Sequence, residues 1–230
     1  MYNHLIPIHK GGHWLPLFLA GLIFLLLAGC SHEVQLPVTV PPEVASKSLQ
    51  RTASIAYSGA PRFVGTALVL NATDLITNLH VIQARENQIR VSFDGKEFLA
   101  ATVVRTDPEA DLALLRISAS DYSEDITEIT AANPHPAPGT HIFAYGAAFG
   151  LHDSFFQGYV SHSSRSDIMG SNGKIAFVQI QGVTFPGMSG APVFTLDGSF
   201  VGINRAAYGY AANTGTGLAI PADLVLDFAR

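Results

Sequence analysis

The chain has 230 residues, 48% of them hydrophobic and 13% charged, with a net charge of −5. That length supports one domain with a sizeable core. The sparse charge, modestly acidic balance and absence of a basic run argue against a nucleic-acid partner. One cysteine, Cys30, excludes a disulfide within the chain.

In chain order, Lys10 and several histidines precede an apolar run from Trp14 to Ala28. The run is shorter than the roughly 20 residues that cross a bilayer, and it reads as a secretory leader. It ends in Leu27-Ala28-Gly29-Cys30. Val34 to Pro42 is Pro-rich and reads as an extended tether. Gly65 to Leu70 reads as a buried strand, Asn71 to Asp74 as a turn, and Leu75 to Asn78 as a second strand running into His80. Asp111 stands directly before the apolar strand Leu112 to Ile117. A partly buried carboxylate there needs a hydrogen-bond partner, and an imidazole N–H is suitable. Asp107 is a rival, but Pro108 after it marks a turn. Ser161 to Lys174 is rich in Ser and Gly and reads as a mobile loop. Phe155-Phe156 reads as barrel core or a loop plug. Pro221 to Arg230 reads as a short amphipathic helix with Leu224, Val225 and Phe228 facing inward. Many short apolar segments divided by Gly, Pro, Asn and Asp give an all-β expectation.

Phe185-Pro186-Gly187-Met188-Ser189-Gly190-Ala191-Pro192 carries the chemistry. A nucleophilic serine needs a sharp bend and nearby amide N–H groups, and glycines permit both. Alone, a glycine-flanked serine also fits an ordinary turn. His80, Asp111 and Ser189 occur in that order, which differs from the Ser-acid-His order of α/β-hydrolases and the Asp-His-Ser order of subtilisins. Ala191 also breaks the Gly-x-Ser-x-Gly esterase pattern.

Thr77-Asn78-Leu79-His80-Val81, Asp111 to Leu115 and Gly187 to Pro192 resemble the three catalytic blocks of trypsin-like serine proteases, closest to the bacterial HtrA/DegP branch. Thr216 to Pro221 resembles the segment that closes that protease domain, and Ala144 to Gly150 resembles its Gly-x-Pro-Phe-Gly turn, with Ala148 for Pro. The resemblance covers about residues 50–230. It implies two six-stranded antiparallel β-barrels and a short C-terminal helix, with His80, Asp111 and Ser189 catalytic and the amides of Gly187 and Ser189 as oxyanion hole. It implies a specificity pocket around Val183, Asn204, Arg205 and Ala206. With no acid at Val183, the expected preference is a small or medium apolar residue; Arg205 is read as solvated, the alternative being that it reaches an acidic group of the substrate. Met188 stands where relatives carry Asn or Asp, at a position expected to face substrate, and Ala191 replaces a glycine. No metal or organic cofactor is implied; His135, His141, His152 and His162 lack ligand spacing.

The segment around Cys30 resembles a bacterial lipobox. It implies removal of residues 1–29, lipidation of Cys30, a tether over 30–49 and a protease domain over 50–230. Ser31 after the cysteine implies sorting to the outer membrane. The partners implied are polypeptide substrates, the lipid bilayer and further copies of the chain. Only ten residues follow Ile220, so no PDZ domain is expected there. The alternative function is a protease-fold lipoprotein acting as a binding or scaffold module.

Overall fold

A computed structural model describes residues 39–60, 62–83, 85–118, 129–166, 168, 174–208 and 216–230. The leader, Cys30 and the tether up to residue 38 lie outside the described residues, as do 167 and 169–173 of the Ser/Gly-rich loop. The compact unit described is Thr39–Arg230.

It begins with helix α1 (Pro42–Gln50). The tether expected over 30–49 is therefore helical from Pro42 onward, directly after the stretch read as extended. Proline is favoured in a first turn, where its missing N–H costs nothing. Val44 packs on the core, Ser48 is buried, and the Ser48 carbonyl accepts a hydrogen bond from Thr52 Oγ1 at 3.1 Å.

Seven strands then form one antiparallel sheet: β1 (Thr52–Tyr57), β2 (Gly65–Val69), β3 (Asp74–Asn78), β4 (Ile89–Ser92), β5 (Leu99–Ala100), β6 (Thr102–Asp107) and β7 (Leu112–Arg116). Their spatial order is β5-β4-β1-β2-β3-β7-β6. A one-turn helix, α2 (Leu79–Ile82), follows β3. Six strands close into a barrel: β8 (His141–Gly146), β9 (Ser154–Arg165), β10 (Phe177–Gln181), β11 (Pro192–Thr195), β12 (Phe200–Ala207) and β13 (Thr216–Pro221), ordered β10-β13-β12-β11-β8-β9. Helix α3 (Ala222–Ala229) ends the chain, with Val225 buried and Leu224 and Phe228 packed on the core as expected. The all-β double-barrel architecture holds. The N-terminal sheet is curled rather than closed, with the two-residue β5 at one edge and the mostly exposed β6 at the other.

Alternation along the strands divides three hydrophobic clusters. Ala67, Val69, Leu75, Ala113 and Leu115 fill the N-terminal sheet. Leu68, Ile76, Leu112 and Leu114, on the opposite faces of the same strands, pack with Phe143, Phe177, Phe200 and Ile203 of the barrel. Both faces are buried, so these strands read as continuous apolar runs. The barrel interior holds Ile142, Val178, Ile180, Val193 and Val201. Each fully buried Leu, Ile or Phe contributes about 1.5–3 kcal/mol. The seam between the two sheets is thus rigidly packed, and the chemistry-bearing residues lie along it.

Candidate active site

The Asn71 side-chain oxygen accepts the N–H groups of Thr73 and Asp74, each at 2.9 Å, and tightens the turn between β2 and β3. Strand β3 then pairs with β7 in the register Asn78↔Leu112. That register brings the residue before β7, Asp111, against the start of α2. The Asp111 carbonyl accepts hydrogen bonds from Leu79 N–H at 3.0 Å and Asn78 Nδ2 at 3.2 Å. Asp111 takes a left-handed backbone conformation (φ 58°), which aspartate tolerates better than most residues.

The carboxylate faces His80. Its Oδ1 accepts the His80 backbone N–H at 2.9 Å, and its Oδ2 accepts the ring Nδ1–H at 2.7 Å. The His80 side chain is 45% exposed and that of Asp111 only 10%. Burial alone would push the Asp111 carboxyl up. Two hydrogen bonds from His80 and the nearby charges of His80 and Arg205 outweigh it, and the group sits below its ordinary value. The rival acid, Asp107, instead accepts the N–H groups of Glu109 and Ala110 and shapes the turn.

Ser189 enters from the barrel. Its carbonyl accepts Thr66 N–H of β2 at 2.9 Å, and Gly190 N–H donates to the Asn204 carbonyl at 2.8 Å. Gly187 has φ 90° and Gly190 φ 86°, conformations that glycine adopts without a Cβ penalty. The Pro186 carbonyl accepts Phe149 N–H at 2.7 Å, and the Gly187 carbonyl accepts Thr66 Oγ1 at 2.9 Å. In a trans peptide the N–H points opposite to the carbonyl. The Gly187 N–H is therefore turned away from Phe149. Among the described residues, the N–H groups of Gly187 and Ser189 meet no acceptor. The Ser189 hydroxyl donates to the Arg205 carbonyl at 3.2 Å, and no hydrogen bond joins it to His80.

The expected pocket residues fall differently. Val183 and Asn204 are fully buried: Asn204 Nδ2 donates to the Val183 carbonyl at 2.8 Å and its Oδ1 accepts Thr184 Oγ1 at 3.1 Å. Arg205 is not solvated. Its side chain is 17% exposed and its Nε donates to Asp111 Oδ2 at 3.1 Å. Arg205 and Ala206, with Leu79, His80, Gln83, Pro108 and Asp111, line a cleft of about 390 Å³. Met188 does not face this cleft. It is fully buried in the barrel core, where its sulfur packs beside Gly146. Ala191 is buried there too, outside the left-handed region, so its methyl group is accommodated. Phe155 packs against Phe143 and Tyr145, and Phe156 against Phe185.

Three supports were not anticipated: Thr66, Phe149 and the Arg205 side chain. Thr66 had a signal, because a hydroxyl in a wholly apolar buried strand must find partners. Its Oγ1 also accepts Ala147 N–H at 3.0 Å. Phe149 acts through its main chain, and Arg205 meets a carboxylate 94 positions away; neither contact has a local pattern.

A curled sheet carrying a His–Asp pair, set against a closed six-stranded barrel that presents a glycine-turned serine, defines the trypsin-like double-barrel class. The chain belongs to the trypsin-like peptidase domain family, which matches residues 65–203. It is 33% identical over 156 residues to a "Probable periplasmic serine endoprotease DegP-like" of Pseudomonas fulva (strain 12-X), covering 67% of this chain and 31% of that protein. A protein of the same description from Marinomonas sp. (strain MWYL1) is 35% identical over 153 residues, covering 66% and 31%. The chain thus spans about a third of the length of these curated relatives. Among solved structures, it is similar to "HtrA-type protease AlgW with tripeptide" (29% identity, TM-score 0.69, 80% of this chain and 60% of that one). The decapeptide complex of AlgW matches at 25% identity and the same TM-score.

Proposed function

We propose that the chain is a serine endopeptidase acting on unfolded or exposed segments of envelope proteins. In this reading Ser189 Oγ attacks the peptide carbonyl, His80 takes the serine proton and passes it to the leaving amine, and Asp111 orients the ring and stabilises its protonated form. The N–H groups of Gly187 and Ser189 receive the oxyanion, each such donor contributing about 2.7–4 kcal/mol to the transition state. The carrying observation is the Asp111 carboxylate gripping His80 through ring and main chain at once. In this reading the hydroxyl of Ser189 leaves the Arg205 carbonyl and turns toward the imidazole. That same resting bond favours the second reading, a protease-fold binding module with little turnover.

The test is cleavage of a denatured polypeptide by the chain and by Ser189→Ala. Fragments from the first and none from the second support the endopeptidase; equal cleavage, or none from either, contradicts it.

The small-residue segment ending at Cys30 supports a lipid anchor: residues 1–29 are removed, Cys30 is acylated, and the domain faces the periplasm from the outer membrane. Stable anchoring takes more than one acyl chain, and a triacylated cysteine meets that need. Among the described residues no helix is long and apolar enough to cross a membrane. Metabolic palmitate labelling, lost in Cys30→Ser, is the expected result; label retained in that variant contradicts it.

A further inference from the structure

Arg205 is the charged group that the proposed reaction leaves unused, and it touches both halves of the site. Its Nε donates to Asp111 Oδ2, the oxygen that His80 Nδ1 also uses. Its carbonyl accepts the Ser189 hydroxyl. The guanidinium is held in place: its carbon lies 5.3 Å from the centre of the Phe177 ring, and its Nη1 is buried with no acceptor among the described residues. An arginine kept this far from water, with one donor unsatisfied, is not a surface charge that settled on a convenient partner.

We propose that Arg205 is a positioning residue: it fixes the Asp111 carboxylate and draws off part of its charge, moderating the hold of Asp111 on the imidazole. The proposal rests on the endopeptidase reading only for its effect on rate; the effect on the His80–Asp111 hydrogen bond is independent of turnover. Two donors share Oδ2 at 2.7 and 3.1 Å. Removing the guanidinium frees that oxygen, so the Nδ1–H bond strengthens while the carboxylate loses one restraint. The depressed carboxyl of Asp111 accords with this. Other charges nearby are otherwise engaged. Asp107 accepts N–H groups of its own turn, and Glu109 pairs with Lys174 at 2.8 Å. On α2, the Val81 carbonyl accepts the Tyr57 hydroxyl, and Arg85 lies over the Tyr57 ring.

The test uses Arg205→Met, which keeps the length and apolar stem, and Arg205→Lys, which keeps a cation. Labelling by a fluorophosphonate is followed against pH, and the downfield Nδ1–H resonance of His80 by proton NMR in the Ser189→Ala background. With the methionine, labelling is expected to slow about ten- to a hundredfold. Its acid limb moves to higher pH by about one unit, and the resonance moves downfield. Lysine recovers most of each. An Arg205→Met protein with native rate, pH profile and resonance overturns the proposal. If that variant does not fold, Arg205→Gln, neutral but still a donor, is read in the same way. If the native chain does not label yet the resonance moves, the peptidase reading falls and the positioning role stands.

Discussion

Replacing Gly187 by Ala perturbs the proposed oxyanion hole through the backbone alone. At φ 90° an alanine costs about 1–2 kcal/mol in left-handed strain. Its Cβ would lie 2.1 Å from the Ala147 carbonyl oxygen and 3.0 Å from its carbon, so one of the two chains must move by about an ångström. The movement loosens the bonds that orient the peptides on either side of Gly187, Phe149 N–H to Pro186 at 2.7 Å and Thr66 Oγ1 to Gly187 at 2.9 Å. Each lost bond costs about 0.5–1.5 kcal/mol. The sum is roughly 3 kcal/mol, or about 6–12 °C in melting temperature for a domain of this size. Losing one aligned donor slows the reaction by about 10²–10³-fold. Gly59→Ala is the control: φ is 77° but nothing lies within 4 Å of the added Cβ. It should melt about 2–8 °C low, from strain alone, and label at the native rate. The assay is thermal unfolding beside the second-order rate of fluorophosphonate labelling. A Gly187→Ala protein that melts with the Gly59→Ala control and labels at the native rate refutes the reasoning.

Other substitutions probe separate links. The Asp111 carboxyl is depressed in the folded chain, so its contribution to stability is present above the ordinary aspartate value near 3.8 and lost as pH falls through the folded value. Denaturant unfolding from pH 6 to 2 should show that loss, and Asp111→Asn should flatten it; an unchanged slope contradicts the pairing. Asp153 has the opposite sign: burial raises its carboxyl despite His152 Nε2 at 3.0 Å, a contact without hydrogen-bond alignment. Asp153→Asn, which tolerates the left-handed φ of 53°, should therefore raise stability at pH 7, and a lower denaturation midpoint would count against this. Met188→Ala should cost about 2–5 kcal/mol by opening a cavity in the barrel. Were Met188 instead a substrate contact, stability would hold and the KM for a peptide would change.

The legible parts of the site were those carried by short local strings. His80 follows a strand, Asp111 precedes one, and Ser189 sits in a glycine turn, so each could be placed from its own neighbours. The β3–β7 register then brings Asp111 to His80, and the Thr66 N–H bond to the Ser189 carbonyl ties the serine turn to β2. Asp107 was separable from Asp111 because a proline marks its turn, and its side chain does cap that turn. What sequence missed depended on distant contacts. Arg205 looked like a solvated cation because most arginines are, and only the fold brings Asp111 and Phe177 to it. Asn204 looked like a pocket wall, yet the barrel turns its side chain inward onto the Val183 carbonyl and the Thr184 hydroxyl. The helix that follows the Pro-rich stretch went unread, though it had a local logic: Pro42 at the start, and Val44 and Ser48 one turn apart on one face. The N-terminal sheet stays open between the short β5 and the mostly exposed β6, a pairing choice that strand spacing does not carry.

The central claim is that Ser189 is a nucleophile served by His80 and Asp111. Incubation with a fluorophosphonate, followed by intact-mass and peptide mass spectrometry, tests it most directly. The account predicts a single adduct on the peptide bearing Ser189, absent in Ser189→Ala and strongly slowed in His80→Ala. A folded native chain that takes up no adduct, or takes it up elsewhere, contradicts the account.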